Sequence, residues 1–395
     1  MRVFGITTGD GHTLKLLWSA LFLIVLAANF WTMRNWTERT GVYDDICYLR
    51  QAHLFQRFGL GGFNTDLSRD DDHYFATLAR EIGYPDWADP TRAFCHSLIG
   101  GKRVIQYPPG TGFLLSLFPE GFQRVPLYAV ANLAVFLFAL LALWSAHSRL
   151  CIGVSGVVGT AALYFMVNPS KASFSIAPTM IVCAAVGFLT SILVSAPKQS
   201  QRIIAAGLVG LLLGLAVSFR IANLVLSSGY FLVLLASIVR SRRSCDFLSL
   251  VSFGTAYLLG LVPTLIANAI NAGSILATTY SPVDTLPPDF SFSIARDYIA
   301  DMQGTLIILA AGWAVFALIA GAQKTVAAIV MINLVVNLLF FLTHPISTQY
   351  YLMPLAMLSL WALLFSTEID RRMSMWKMPV HAKYYDGIEG KRLGS

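Results

Sequence analysis

Long blocks of apolar residues recur along this chain, and they constrain its fold more tightly than any motif does. About 20 predominantly apolar residues in a helix cross the hydrocarbon core of a bilayer. A sliding window of about 19 residues finds about ten such blocks. They lie near residues 14–31, 125–146, 152–167, 175–195, 203–219, 221–239, 247–269, 305–322, 325–342 and 350–365. In hydrocarbon each backbone N–H and C=O must find its partner within the protein, which a helix provides inside one segment. The expected fold class is therefore an all-α polytopic membrane protein, built as a single membrane domain over residues 1–395.

Composition agrees. Of 395 residues, 56% are hydrophobic and 12% are charged, and the mean hydropathy is +0.64. Soluble domains carry about 25% charged residues, so this chain has too little polar surface to cover a water-soluble globule. The net charge of +7 is carried by short loops and the C-terminal tail. No basic face with interleaved aromatics is present, so nucleic acid is not an expected partner. The five cysteines show no metal-like spacing. Cys47 and Cys95 share one long loop and can pair if that loop faces an oxidising compartment. The first block lacks a small-residue cleavage site and is followed by Trp31, Arg34 and Trp36, which points to an uncleaved first span.

Charge also orients the chain. With the N-terminus in the cytoplasm, the inner loops hold His147 and Arg149, Lys198 and Arg202, Arg240, Arg242 and Arg243, Lys324, and then Arg371, Arg372 and Lys377. The opposite short connections hold only Lys171, Arg220 and His344. This is the positive-inside pattern, and it predicts both termini in the cytoplasm. Two long segments then fall outside, residues 32–124 and 271–303, and residues 370–395 form a cytoplasmic tail.

Residues that carry chemistry gather on the outer side. Tyr43-Asp44-Asp45 stands just beyond the first span, and Tyr48, Ala52, Phe55 and Gly59 follow at helical spacing. An amphipathic helix along the membrane surface is expected there, with the acidic pair at its mouth. Asp45 can cap that helix, and either aspartate can act as a general base where partial desolvation tunes its pKa. In Gln106-Tyr107-Pro108-Pro109-Gly110 two prolines fix φ and remove two donors. The expected product is a rigid turn back onto the membrane. Arg220 interrupts two apolar blocks, and an ionisable residue at such a place is a functional candidate by default. Its planar fork suits phosphate, whereas snorkelling to headgroups is the plainer alternative. His344 and Tyr350 open the last block. Asp70-Asp71-Asp72-His73 offers hard oxygen ligands, but consecutive side chains point apart, and a solvated acidic turn is expected instead of a metal site.

In order and in sidedness these features resemble the GT-C glycosyltransferases. The acidic pair resembles the Asp-Glu motif of that family's first outer loop, with Asp-Asp here. The Tyr-Pro-Pro-Gly step, the mid-chain arginine and the His344/Tyr350 region resemble further family segments, in the manner of bacterial mannosyltransferases and aminoarabinose transferases. The resemblance implies a GT-C-like bundle of about ten transmembrane helices with amphipathic surface helices in the first outer loop. It implies an inverting transfer of a sugar from a polyprenyl-phosphate donor to an envelope glycolipid, lipopolysaccharide, polysaccharide or protein. The catalytic residues would be Asp44 and Asp45. Arg220, His344 and Lys171 would bind the donor phosphate, and Tyr43, His53, Tyr107 and Tyr350 the substrates. No cofactor and no metal is implied, the lipid-linked sugar being a substrate. The setting would be a bacterial inner membrane, with the active site facing the periplasm. A secondary transporter or lipid flippase is the alternative, although the chain lacks the matched halves many such proteins show.

Overall fold

The computed structural model describes residues 8–38, 45–81, 95–166, 173–241, 243–280, 290–321, 323–344 and 350–376. Helix α1 (Thr8–Met33) comes first. The long connection after it contains α2 (Asp45–Phe58), α3 (Tyr74–Glu81), strands β1 (His96–Ile99) and β2 (Lys102–Ile105), and α4 (Gly110–Leu115). Then come α5 (Arg124–Ser145), α6 (Arg149–Phe165), α7 (Ile176–Ser195) and α8 (Gln199–Phe219). A 3₁₀ turn, Ile221–Ser227, leads into α9 (Ser228–Ser241), which is followed by α10 (Ser244–Ala272). The second long connection carries α11 (Phe292–Ala300), and α12 (Met302–Ile319), α13 (Lys324–Thr343) and α14 (Met353–Trp376) complete the described chain.

Every apolar block of the sequence falls on one of these helices. Among the described residues, eight spans are long and apolar enough to cross a membrane: α1, α5, α7, α8, the 221–241 unit, α10, α12 and α13. Two shorter apolar helices, Arg149–Phe165 and Met353–Thr367, occupy the remaining two blocks. The protein is thus an all-α, multi-pass membrane protein, with one short hairpin among the described residues. Helix α14 continues to Trp376, several residues into the segment expected as tail.

Packing between spans uses small residues and buried amides, because lipid gives apolar side chains no reason to prefer a neighbouring helix. At Gly210 and Gly214 of α8, an added Cβ would fall 2.2 Å from the carbonyl oxygens of Phe253 and Tyr257 on α10. Only glycine permits so close a crossing. Asn29 on α1 donates to Asn132 Oδ1 on α5 (2.7 Å) and to the Leu163 carbonyl on α6 (2.9 Å). Asn333 on α13 accepts from Ser228 Oγ (3.1 Å) and Gly229 N–H (2.6 Å) on α9. Leu17, Ile24 and Trp31, seven residues apart on α1, are more than 60% exposed and mark a face for lipid.

Side-chain bonds sort the connections into two ends. At one end Lys15 bonds the Trp144 carbonyl, and Arg202 pairs with Asp246 at 2.9 Å. The other end gathers both long connections. Asn271, at the end of α10, accepts from Thr65 N–H (2.9 Å), and Gln303 accepts from Leu352 N–H (3.0 Å). Thr279 donates to the Gln106 carbonyl at 2.9 Å, docking the second long connection on the first.

The first connection is a folded cap. Strands β1 and β2 pair antiparallel, Ser97 opposite Val104, around Gly100 and Gly101 at φ +56° and +81°, the positive φ pair that a tight hairpin turn requires. A disulfide joins Cys47 on α2 to Cys95 beside β1, closing a loop of 48 residues. Helix α2 is more enclosed than its periodicity implies. Asp45 to Ala52, Leu54 and Phe55 are all buried, between the cap and the ends of the spans.

Candidate functional site

Helix α8 breaks at Arg220, whose extended backbone (φ −160°, ψ 125°) separates it from the 3₁₀ turn. Asn223 holds the break in place by donating to the Ala216 carbonyl (2.8 Å) and to Thr179 Oγ1 on α7 (3.1 Å). The motif Tyr107-Pro108-Pro109-Gly110 presses on the same point. Gly110 lies so close to Ser218 that an added Cβ would sit 2.4 Å from its Oγ and 2.8 Å from its carbonyl. Thr111 donates to the Phe219 carbonyl at 3.2 Å. The rigid step is therefore a wedge that seats the residue before Arg220.

The guanidinium of Arg220 is 93% withdrawn from solvent and lies against aromatic faces. Its carbon is 3.6 Å from the Tyr351 ring centre and 4.9 Å from that of Tyr350. Tyr48, one turn into α2, is within electrostatic reach of it and stacks on Tyr107 at 5.2 Å. The Nη1 atom is buried without a hydrogen-bond partner. Leaving a charged donor unsatisfied in a buried place costs more than a typical hydrogen bond returns, and an anion reaching this nitrogen would satisfy it with a charge-assisted bond.

Asp45, at the start of α2, is buried and accepts from Ser173 Oγ (3.0 Å) and Phe174 N–H (2.8 Å). These bonds fasten α2 to the α6–α7 connection. Near it lies a cation that sequence reasoning passed over. Arg124, the first residue of α5, is fully buried and packs on Trp36 and Phe174 at 4.4 and 5.3 Å. A charge that opens an apolar block looks from the sequence like an ordinary interface residue, and only the fold shows the carboxylates of Asp45 and Glu38 facing it. Tyr350 connects the two halves of the site, being within electrostatic reach of Tyr128 on α5 as well as of Arg220.

Of the residues named from sequence, Tyr107, Arg220 and Tyr350 thus fall in one aromatic cluster, and Asp45 is linked to it through Tyr128. Tyr43, Asp44 and Lys171 lie outside the described residues. His344 bonds the end of its own helix, Nδ1 being 3.2 Å from the Phe340 carbonyl and 3.1 Å from Thr343 Oγ1. His53 lies about 12 Å along α2 from Asp45, at 1.5 Å of rise per residue, and belongs to a different feature. It bridges Asp72 Oδ2 (2.7 Å) and Glu120 Oε2 (2.9 Å) and stacks on Tyr74. These groups, with Glu38 and Glu81, line a cleft of about 670 Å³.

The acidic run 70–72 is consumed internally. Asp70 accepts from Phe75 N–H and lies 3.8 Å from buried Arg50. Asp71 takes both guanidinium arms of Arg57 (2.5 and 3.0 Å), which hold its carboxyl below the usual range. Burial opposes the same shift at Asp72, but bonds from His53 and Tyr74 N–H carry it downward. Burial pushes Arg50 itself down to about 10, against the pull of Asp70. Its arms bond the carbonyls of Thr65 and Asp66. Among the described residues one set of three metal-capable side chains converges, Cys47, Cys95 and His96, and both its sulfurs are spent on the disulfide.

The chain matches no protein-family model, no curated protein and no solved structure.

Proposed function

We propose that this protein is an inverting membrane glycosyltransferase of the GT-C type, moving a sugar from a polyprenyl-phosphate donor to an envelope acceptor at the outer face of a bacterial inner membrane. The observation that carries the proposal is Arg220: a buried guanidinium with one unpartnered nitrogen at the same end of the bundle as the acidic mouth of α2. Asp44 takes the proton of the acceptor hydroxyl as its oxygen attacks the anomeric carbon. The bond from that carbon to the phosphate oxygen breaks, and the electron pair leaves with the polyprenyl phosphate. Arg220 stabilises the charge that grows there. Asp45 sets the position of α2, and the prenyl tail lies between apolar helices. The charge asymmetry of the short loops supports cytoplasmic termini, and the Cys47–Cys95 disulfide supports an oxidising compartment around the cap.

The test is purified protein in lipid with a radiolabelled polyprenyl-phosphate sugar, together with mass spectrometry of the envelope from cells with and without the active protein. The proposal expects one envelope component to lose a fixed sugar increment when Asp44→Asn replaces the wild type, with the protein still folded. Near-normal turnover in D44N removes the catalytic assignment. Coupled uptake of a solute without transfer would establish the transporter reading instead.

A further inference from the structure

We propose that Arg124 is a positioning residue of this site, the buried counter-cation that fixes the acidic mouth of α2. The inference rests on the glycosyltransfer reading for its role in turnover, whereas the packing of Arg124 behind it stands on the fold itself.

Three observations converge on this side chain. The described residues on either side of positions 39–44 are gathered around it. Before that segment, Arg124 Nη1 donates to the Thr37 carbonyl (3.1 Å), and Glu38 Oε1 accepts from the N–H groups of Gln123 (2.7 Å) and Arg124 (3.1 Å). After it, Asp45 binds Phe174 N–H at 2.8 Å, and the guanidinium packs on the ring of that same Phe174 at 5.3 Å. The second observation is enclosure. Trp36 and Phe174 pack on the guanidinium, Tyr128 packs on both rings and reaches the Ser173 carbonyl at 3.3 Å, and no part of Arg124 meets solvent. The third is charge. The ionisable groups facing it are Asp45 from α2, Glu38 from the segment after α1, and Tyr128 from α5, so its positive charge has two carboxylates to offset.

A buried cation within electrostatic reach of two carboxylates does more than fill space. Removing it takes a positive charge out of electrostatic reach of Asp45 in a place water reaches poorly, which raises the cost of ionising that carboxylate. Acting through Asp45, Arg124 thereby sets both the position of the start of α2 and the pH at which Asp45 is ionised.

The experiment measures transfer against pH for Arg124→Met, which keeps the bulk and loses the charge, and for Arg124→Lys, which keeps the charge. R124M is expected to lower kcat at least about tenfold, with the donor KM within about threefold. Its acid limb should move to higher pH, and R124K should return that limb to the wild-type position. A folded R124M with an unmoved acid limb overturns the proposal. If R124M does not accumulate, R124K decides: a wild-type limb supports the charge role, and a displaced limb in the folded lysine variant overturns it. The pairing is also measured without turnover, by thermal unfolding in detergent of R124M, D45N and the double variant. Coupled groups make the double variant melt no lower than the worse single one; additive losses overturn the pairing. Should the wild type transfer no sugar, the glycosyltransfer reading falls, and the melting cycle still decides for or against the pair.

Discussion

The guanidinium carbon of Arg220 sits 3.6 Å from the centre of the Tyr351 ring. A cation over an aromatic face gains about 0.5–2 kcal/mol, and the ring covers one side of the planar fork. The contact therefore holds the arginine in place while leaving Nη1 open to an acceptor. Lysine cannot reproduce this, having neither the flat face nor the fork. Arg220→Lys and Arg220→Gln are accordingly expected to lower kcat/KM for the lipid-linked donor, the glutamine variant by about 100-fold and the lysine variant by less. Transfer kinetics on folded protein check this. Equal activity of R220Q and wild type would remove the phosphate role.

The ring itself is the next test. Tyr351→Phe keeps the face that packs on Arg220, whereas Tyr351→Leu keeps only bulk. The phenylalanine variant should bind donor within about twofold of wild type, and the leucine variant about five- to tenfold more weakly, the measure of one partly desolvated cation–π contact. Isothermal titration with a donor analogue separates the two. Similar losses in both variants would mean that the tyrosine hydroxyl matters and the ring does not.

Much of this was legible in the sequence, for physical reasons that differ from part to part. The spans were, because hydrocarbon imposes its own thickness on the chain, and even the 17-residue α6 stands out against polar flanks. The break at Arg220 was, because a charge between two apolar blocks interrupts them. The cap was less so. Four-residue strands such as His96–Ile99 are too short for alternation to register. Periodicity placed α2 on a surface, yet Arg50 and Gln51 are buried, since the carbonyls of Thr65 and Asp66 satisfy the arginine. Nothing local predicts those bonds. His53 stood in sequence near the acidic pair, but eight residues of helix carry it into the cleft with Asp72 and Glu120. Arg124 was invisible because its meaning depends on Asp45, far away in the chain.

The Cys47–Cys95 bond closes a loop of 48 residues, which in the chain-entropy account corresponds to about 4 kcal/mol. The other cysteines, Cys151, Cys183 and Cys245, are free. Denatured protein taken directly from membranes should accept three maleimide groups before reduction and five after it. Cys95→Ser should melt well below wild type and lose activity, because α2 carries Asp45 two residues before the bridge. Five accessible thiols without reductant would show that the cap does not face an oxidising compartment.

Acid should loosen α3 from α2 within a defined window. Asp71 and Asp72 have carboxyls held below their ordinary value of 3.8. A depressed carboxyl contributes stability that is present above the ordinary value and is lost as pH falls through the folded one. Protection of the α3 amides against hydrogen exchange should therefore hold from pH 7 down to about 4 and decline below it. In Asp72→Asn the protection should already be reduced at pH 7. The effect is expected to be small, because these groups are largely open to solvent and screening is strong. Protection that fell between pH 7 and 5 would assign the change to another group.

Gly110 and Gly153 make a matched pair of alanine substitutions. Alanine favours a helix over glycine by about 1 kcal/mol, so Gly153→Ala, whose Cβ meets nothing within 4 Å, should melt at or slightly above wild type and keep its activity. At Gly110 the same methyl would sit 2.8 Å from the Ser218 carbonyl and 2.9 Å from the Phe219 ring. Backbone cannot step aside as a side-chain tip can, so α4 and the end of α8 must separate, at about 1–3 kcal/mol for overpacking of this kind. The displaced backbone is the one that carries Arg220. G110A should therefore lose donor binding along with stability, and the suspected order is testable: donor affinity measured well below the melting temperature should already be weakened. If G110A binds donor normally while melting lower, the Tyr-Pro-Pro-Gly step supports the fold without seating the arginine.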